Sequence, residues 1–69
     1  MMDIVENLRT IRIERKLSQE EIAAVLHPTP QQYSKYENGY NEIPVRHVIT
    51  LCKFYNVSSD WLLGLKDER

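Results

Sequence analysis

The chain has little of several things, and each shortage removes a class of protein. Its single cysteine, Cys52, has no partner for an internal disulfide, so a covalently stapled framework is excluded and a reducing compartment fits. Two glycines, Gly39 and Gly64, cannot build a glycine-rich phosphate loop. The longest apolar run, Ile-Ala-Ala-Val-Leu at 22–26, is far shorter than the roughly 20 residues that cross a bilayer. The Met1 end shows no basic stretch ahead of an apolar one, so a cytoplasmic setting is expected. Positive charge is not in excess: nine Lys and Arg stand against ten Asp and Glu, for a net charge of -1 and a pI near 6.1. Neutralising phosphates drives most nucleic-acid affinity, so net charge alone speaks against a nucleic-acid partner. His27 and His47 have no thiol or carboxylate in an evident catalytic or metal-binding pattern. With a core this small there is little room for a substrate pocket, and neither enzyme activity nor a cofactor is expected.

What remains is a folded chain, 42% hydrophobic and 28% charged over 69 residues, enough for one domain with one small core. Asp3 with Glu6, Ser18 with Glu21 and Thr29 with Gln32 each have capping-box spacing. Pro30 falls at the first helical position, where its missing N–H costs nothing, and Pro44 is expected to open a helix in the same way. Asn56 suits a left-handed helix end, and Ser58 can cap a last short helix that Gly64 stops. Helices are predicted at about 4–15, 18–26, 29–37, 44–55 and 59–64. No segment alternates with the period of a strand. The expectation is a single all-α domain over residues 1–69, with 65–69 as a frayed tail.

Apolar spacing indicates which faces meet. Ile4, Leu8, Ile11 and Arg15 form the stripe of the first helix, Ile22, Ala23 and Leu26 that of the second, and Val48, Leu51, Cys52 and Tyr55 that of the fourth. Trp61, Leu62 and Leu65 are expected to close the base, with Leu63 and Leu65 also candidates for a partner surface. Cys52 reads as a small space-filling hydrophobe. Two charges interrupt the pattern: Arg12 beside Ile11 and Glu37 four residues after Tyr33. A lone buried charge is very costly, so the economical arrangement is a forked guanidinium–carboxylate pair between them. The alternative is that both reach solvent at helix ends.

The segment 29–38, Thr-Pro-Gln-Gln-Tyr-Ser-Lys-Tyr-Glu-Asn, carries two unlike faces. Tyr33, Tyr36 and Glu37 share one side, whereas Gln31, Ser34, Lys35 and Asn38 share the other. A face of amides, a hydroxyl and an ammonium with no acid among them suits hydrogen bonding to base edges and phosphates.

The runs Leu8-Arg9-Thr10-Ile11-Arg12, Leu17-Ser18-Gln19-Glu20-Glu21-Ile22-Ala23, Tyr33-Ser34-Lys35-Tyr36-Glu37-Asn38-Gly39, Ile43-Pro44 and Tyr55-Asn56-Val57-Ser58-Ser59-Asp60-Trp61-Leu62-Leu63-Gly64, in this order, resemble the phage repressor and Cro type of helix-turn-helix regulators, the XRE family. The resemblance implies a compact five-helix, lambda-repressor-like domain whose second and third helices form the helix-turn-helix, the third entering the major groove of double-stranded DNA. It implies base contacts from Gln31, Gln32, Lys35 and, through apolar surface, Pro30. Phosphate contacts are implied for Ser18, Gln19, Thr29, Ser34, Asn38, Tyr40 and Asn41, and an internal ion pair for Arg12 and Glu37. A repressor acting as a homodimer on a pseudo-palindromic operator is expected, with Leu63 and Leu65 at the dimer surface. An antitoxin-like module with a toxin or other protein partner is the alternative. Two departures stand out: the turn between the second and third helices is His27-Pro28 in place of Gly and a small aliphatic residue, and Glu42 lies where relatives often carry a basic or neutral one. Proline disfavours the helical region for its predecessor, so His27 is expected to be extended.

Overall fold

The structure, a computed structural model, describes residues 3–69. It contains α1 (Ile4–Glu14), α2 (Gln19–Leu26), α3 (Pro30–Glu37), α4 (Val45–Tyr55) and α5 (Ser59–Leu62), with no strand among the described residues. The expected all-α class and helix count are observed.

Helix starts follow from side-chain caps that satisfy backbone N–H groups left free in a first turn. Asp3 Oδ1 accepts from Glu6 N at 3.0 Å, Thr29 Oγ1 from Gln32 N at 3.1 Å and Ser58 Oγ from Trp61 N at 3.1 Å. At Ser18 the box is reciprocal: its Oγ accepts from Glu21 N at 3.0 Å, and its own N–H donates to Glu21 Oε1 at 3.1 Å. Helices therefore begin one residue later than predicted where the cap had been counted as helix. Pro44 also differs from expectation, serving as the extended N-cap of α4 (ψ 149°) with no side-chain cap bond. The last helix is shorter than predicted, because Leu63 is already its C-cap and Gly64 turns left-handed.

One core joins the five helices. Leu8 and Ile11 of α1, Ile22, Ala23 and Leu26 of α2, Tyr33 and Tyr36 of α3, Val48, Leu51 and Tyr55 of α4, and Trp61 and Leu62 of α5 are all buried in it, together with Val57. Each large side chain contributes about 1.5–3 kcal/mol on leaving water. α2 packs against α3 and α4, and α1 against α3 and α5, so the helix-turn-helix rests on the remaining helices.

Several expectations are corrected. Leu65 does not close the base; it is 66% exposed, because Gly64 turns the chain outward after α5. Arg15 ends the α1 stripe at the surface, with its guanidinium 5.9 Å from the Tyr55 ring centroid. Residues 65–69, expected as a frayed tail, are exposed and carry no helix, and Arg69 among them reaches back to the fold. The Arg69 guanidinium forks onto both carboxylate oxygens of Glu14 at 2.5 and 2.6 Å and lies 4.7 Å from the Trp61 ring centroid. Its backbone carbonyl accepts from Ser58 N at 2.9 Å.

The main surprise in the core is Asn7, only 2% exposed. Its Nδ2 donates to the carbonyl of Trp61 at 2.8 Å and, more weakly, to that of Leu62 at 3.5 Å. The amide thus ties α1 to the C-terminal end of α5, adding to the bond that the Trp61 carbonyl accepts from Gly64 N at 3.0 Å.

His27 leaves the helix as expected but enters the left-handed region (φ 68°, ψ 14°), not the extended one. Only residues 27–29 connect α2 to α3, which pack against each other. An extended residue at 27 would carry the chain onward, whereas the left-handed conformation folds it back, and Pro28 has no N–H to leave unpaired there.

Candidate nucleic-acid interface

The geometry of α3 follows directly from its sequence. Thr29 caps it, Pro30 starts it, and its helical period turns Tyr33, Tyr36 and Glu37 into the core while Gln31, Gln32 and Lys35 face solvent. Its C-terminal end closes with Gly39 N donating to Tyr36 O at 3.3 Å and Tyr40 N to Lys35 O at 2.9 Å. This Schellman closure requires a left-handed residue, supplied by Gly39 at φ 79°. The chain then doubles back, and Asn41 N also reaches Lys35 O, at 3.3 Å.

As a result a single open groove of about 660 Å³ forms between three pieces of chain. Gln19, the first residue of α2, forms one wall. Pro30, Gln31, Ser34, Lys35 and Asn38 contribute the outer face of α3, and Tyr40 and Asn41 the returning turn. All eight belong to the residues singled out in the sequence. Asn38 Nδ2 donates to Ser34 Oγ at 3.3 Å, which restrains both side chains. Among the described residues no carboxylate lines this groove, and Lys35 is its only cation.

Three of the singled-out residues lie elsewhere. The hydroxyl oxygens of Ser18 and Thr29 accept their own cap bonds. Gln32 lines a separate cleft with His27, Pro28, Tyr36, Arg46 and His47. Glu42 borders a third, mainly apolar hollow with Ile4, Val5, Leu8 and Ile43. Its carboxylate therefore stands beside the polar groove and does not line it.

Behind the groove lies the ion pair expected from sequence. Arg12 Nε donates to Glu37 Oε2 at 2.7 Å and Arg12 Nη2 to Glu37 Oε1 at 3.1 Å. Side-chain exposure is 14% for Arg12 and 2% for Glu37, so the pair belongs to the interior and not to solvated helix ends. The remaining fork of the guanidinium, Nη1, donates to Leu17 O at 2.9 Å. That carbonyl belongs to the turn set by left-handed Lys16 (φ 59°) and closed by Leu17 N donating to Arg12 O. Glu37 has one further donor that sequence reasoning missed: Gln19 Nε2, 3.2 Å from Oε1.

Burial works to raise the Glu37 carboxyl pKa, but hydrogen bonds, that of Arg12 foremost, outweigh it and hold the group below the usual carboxylate range. The Tyr33 hydroxyl, buried beside the same carboxylate, is pushed well above the usual phenol range, first by desolvation and then by its interaction with Glu37. His47 stacks obliquely on Tyr36 with centroids 6.0 Å apart. Burial, then the charge of Arg46, lowers its pKa. Burial raises that of the Cys52 thiol, in keeping with an unreactive space-filling role. Among the described residues no group of three or more His, Cys, Asp or Glu is placed to hold a metal, and no helix is long and apolar enough to cross a membrane.

Residues 8–62 match the model of the helix-turn-helix family HTH_3. The chain is similar to two proteins of Bacillus subtilis (strain 168), each described as an uncharacterized HTH-type transcriptional regulator. YobD is 32% identical over 63 residues, which are 91% of this chain and 56% of that protein. YqaE is 36% identical over 58 residues, 84% and 50% respectively. The chain therefore spans about half the length of these relatives. Among solved structures, a transcriptional regulator from Listeria innocua superposes with a TM-score of 0.88 at 25% identity, covering 97% of this chain and 63% of that one.

Proposed function

The chain belongs to the helix-turn-helix family HTH_3, and on that premise we propose that it is a sequence-specific double-stranded DNA-binding regulator, acting as a repressor with α3 in the major groove. The observation that carries this reading is the acid-free groove that unites the start of α2, the outer face of α3 and the turn after it. Gln31 and Lys35 project from α3 with chemistry suited to adenine N6/N7 and guanine O6/N7 respectively, and Pro30 offers apolar surface to a thymine methyl. Gln32, on the adjoining cleft, is the fourth candidate for a base edge. Gln19, Ser34, Asn38, Tyr40 and Asn41 suit phosphate contacts around them, and the capped starts of α2 and α3 add the positive ends of two helix dipoles.

One cation in the groove accounts for how a chain of net charge -1 can serve this purpose. Hydrogen bonds carry more of the affinity and counterion release less, so the salt dependence is shallow. A short recognition helix reads only a few base pairs, and two copies about a twofold axis supply the rest. Leu63 and Leu65, 42% and 66% exposed, suit the contact between copies. Occupying an operator excludes other proteins from it, which is repression without any cofactor.

The acidic balance and the same exposed leucines favour one second reading, an antitoxin-like module that binds a protein partner. Substitution in the groove separates the two. Lys35→Ala and Gln31→Ala should each weaken binding to a selected duplex by about 1–3 kcal/mol and relax preference at one or two base pairs. Unchanged sequence preference in both variants would remove α3 as the reading element.

A further inference from the structure

Gln19 and Glu37 come from different helices and would have separate roles in a simple account, the first in the groove and the second in the core. The structure joins them. An ionised carboxylate accepts hydrogen bonds and cannot donate them, so the Gln19 group facing Glu37 Oε1 at 3.2 Å must be its amide nitrogen. That nitrogen carries two N–H bonds, of which Glu37 takes one. The other remains on a side chain that lines the groove, at the first residue of an eight-residue helix. Glu37 is in turn immobilised by two bonds from Arg12, at 2.7 and 3.1 Å, and Arg12 by the Leu17 carbonyl at 2.9 Å. A glutamine on a surface helix ordinarily loses considerable rotamer freedom when it grips a ligand. Here that freedom is already restricted in the free protein.

We infer that Glu37 is a positioning residue for DNA binding: pinned by Arg12, it holds the Gln19 amide with its second N–H available to a phosphate oxygen, so that the ion pair and the phosphate contact act as one coupled unit. This rests on the DNA-binding reading above and adds a dependence that a merely structural ion pair would not have. A pair that only supported the fold could be replaced by apolar residues without altering what Gln19 contributes. A positioning pair could not.

The test is a double-mutant cycle on a duplex selected by the wild-type protein. Arg12 and Glu37 are replaced together, as Arg12→Met/Glu37→Met, so that no unpaired charge is left buried. The cycle is completed by Gln19→Ala in both backgrounds, with melting temperature recorded for every variant. Gln19→Ala should weaken binding about tenfold in the wild-type background, the worth of one charge-assisted hydrogen bond. The methionine pair should cost a similar factor while keeping its melting temperature, and Gln19→Ala should then cost less than about twofold more. Equal losses from Gln19→Ala in both backgrounds, or none in either, would overturn the inference while leaving DNA binding intact. If the wild-type protein selects no duplex at all, the DNA-binding reading itself fails and takes this inference with it.

Should the methionine pair not fold, the side-chain amide of Gln19 decides by NMR. One Nε2 proton should be shifted downfield in the free protein and the other should move on adding the duplex. Two protons at ordinary glutamine positions in the free protein would refute the positioning role.

Discussion

Replacing Arg12 by leucine isolates the energetics behind the interface. The substitution leaves the Glu37 carboxylate, 2% exposed, without the guanidinium that supplies its countercharge and two of its hydrogen bonds, while the Gln19 amide remains. Breaking a buried pair in this way costs about 3–5 kcal/mol, against a total stability of roughly 4–10 kcal/mol for a chain of this size. The melting temperature should therefore fall by about 12 °C or more. Glu37→Leu should cost less, because the Arg12 side chain is 14% exposed and can swing its charge into water. Replacing both residues by methionine should return stability to within about 1 kcal/mol of wild type or above it. The pH dependence should also change sign. In the wild type the Glu37 pKa is depressed, so its contribution is present above the ordinary glutamate pKa of about 4.3 and is lost as pH falls through the lower folded value. In Arg12→Leu the unpaired carboxyl binds a proton more readily folded than unfolded, so the deficit should be largest near neutrality and shrink as pH falls towards about 5. Thermal melts followed by circular dichroism at several pH values measure all of this. Single variants that melt like wild type, or an Arg12→Leu deficit that grows on acidification, would refute the assignment.

Two other positions yield sharp expectations for stability. His27→Gly should raise stability by about 0.5–1 kcal/mol: left-handed backbone at φ 68° costs a residue with a Cβ about 1–2 kcal/mol, and the greater unfolded freedom of glycine returns part of that. A lower melting temperature for this variant would show that the imidazole makes a stabilising contact that outweighs the strain. Asn7→Leu should destabilise by about 0.5–1.5 kcal/mol despite adding apolar surface, since it removes a buried hydrogen bond of 2.8 Å to the Trp61 carbonyl, which keeps the Gly64 N–H at 3.0 Å; urea denaturation reporting equal or greater stability would contradict that.

The features legible in the sequence were those written locally. Ser18 with Glu21, Thr29 followed by Pro30, and Ser58 announce helix starts over three or four residues, and the chemistry of capping is complete within that span. Arg12 and Glu37, 25 positions apart, were still legible because an inward-facing charge is so costly that it demands a partner. The opposite faces of α3 were readable from spacing alone. What escaped depends on the path of the chain between elements. Asn7 lies three after Ile4 and four before Ile11, hence on the apolar stripe, but only the approach of the α5 carbonyls explains a buried amide there. The bond from Gln19 to Glu37 depends on the angle between α2 and α3, and that angle depends on His27, whose left-handed backbone no local rule favours ahead of a proline. Arg69 carries no tail-docking signature, since Glu14 and Trp61 meet only once α1 and α5 are packed. Of the eight groove residues, Gln31, Ser34, Lys35 and Asn38 were recognisable by type and Gln19, Pro30, Tyr40 and Asn41 through the family resemblance, yet their assembly into one surface required the turn at Gly39, which brings Tyr40 and Asn41 back beside α3.

The most direct measurement is selection of bound sequences from a random duplex pool at low salt, with circular dichroism confirming that the protein used is folded. The account predicts one enriched motif bound at least about a thousandfold more tightly than random duplex, built as two inverted half-sites whose centres lie about 10–10.5 base pairs apart. A folded protein that enriches no sequence from the pool would contradict it.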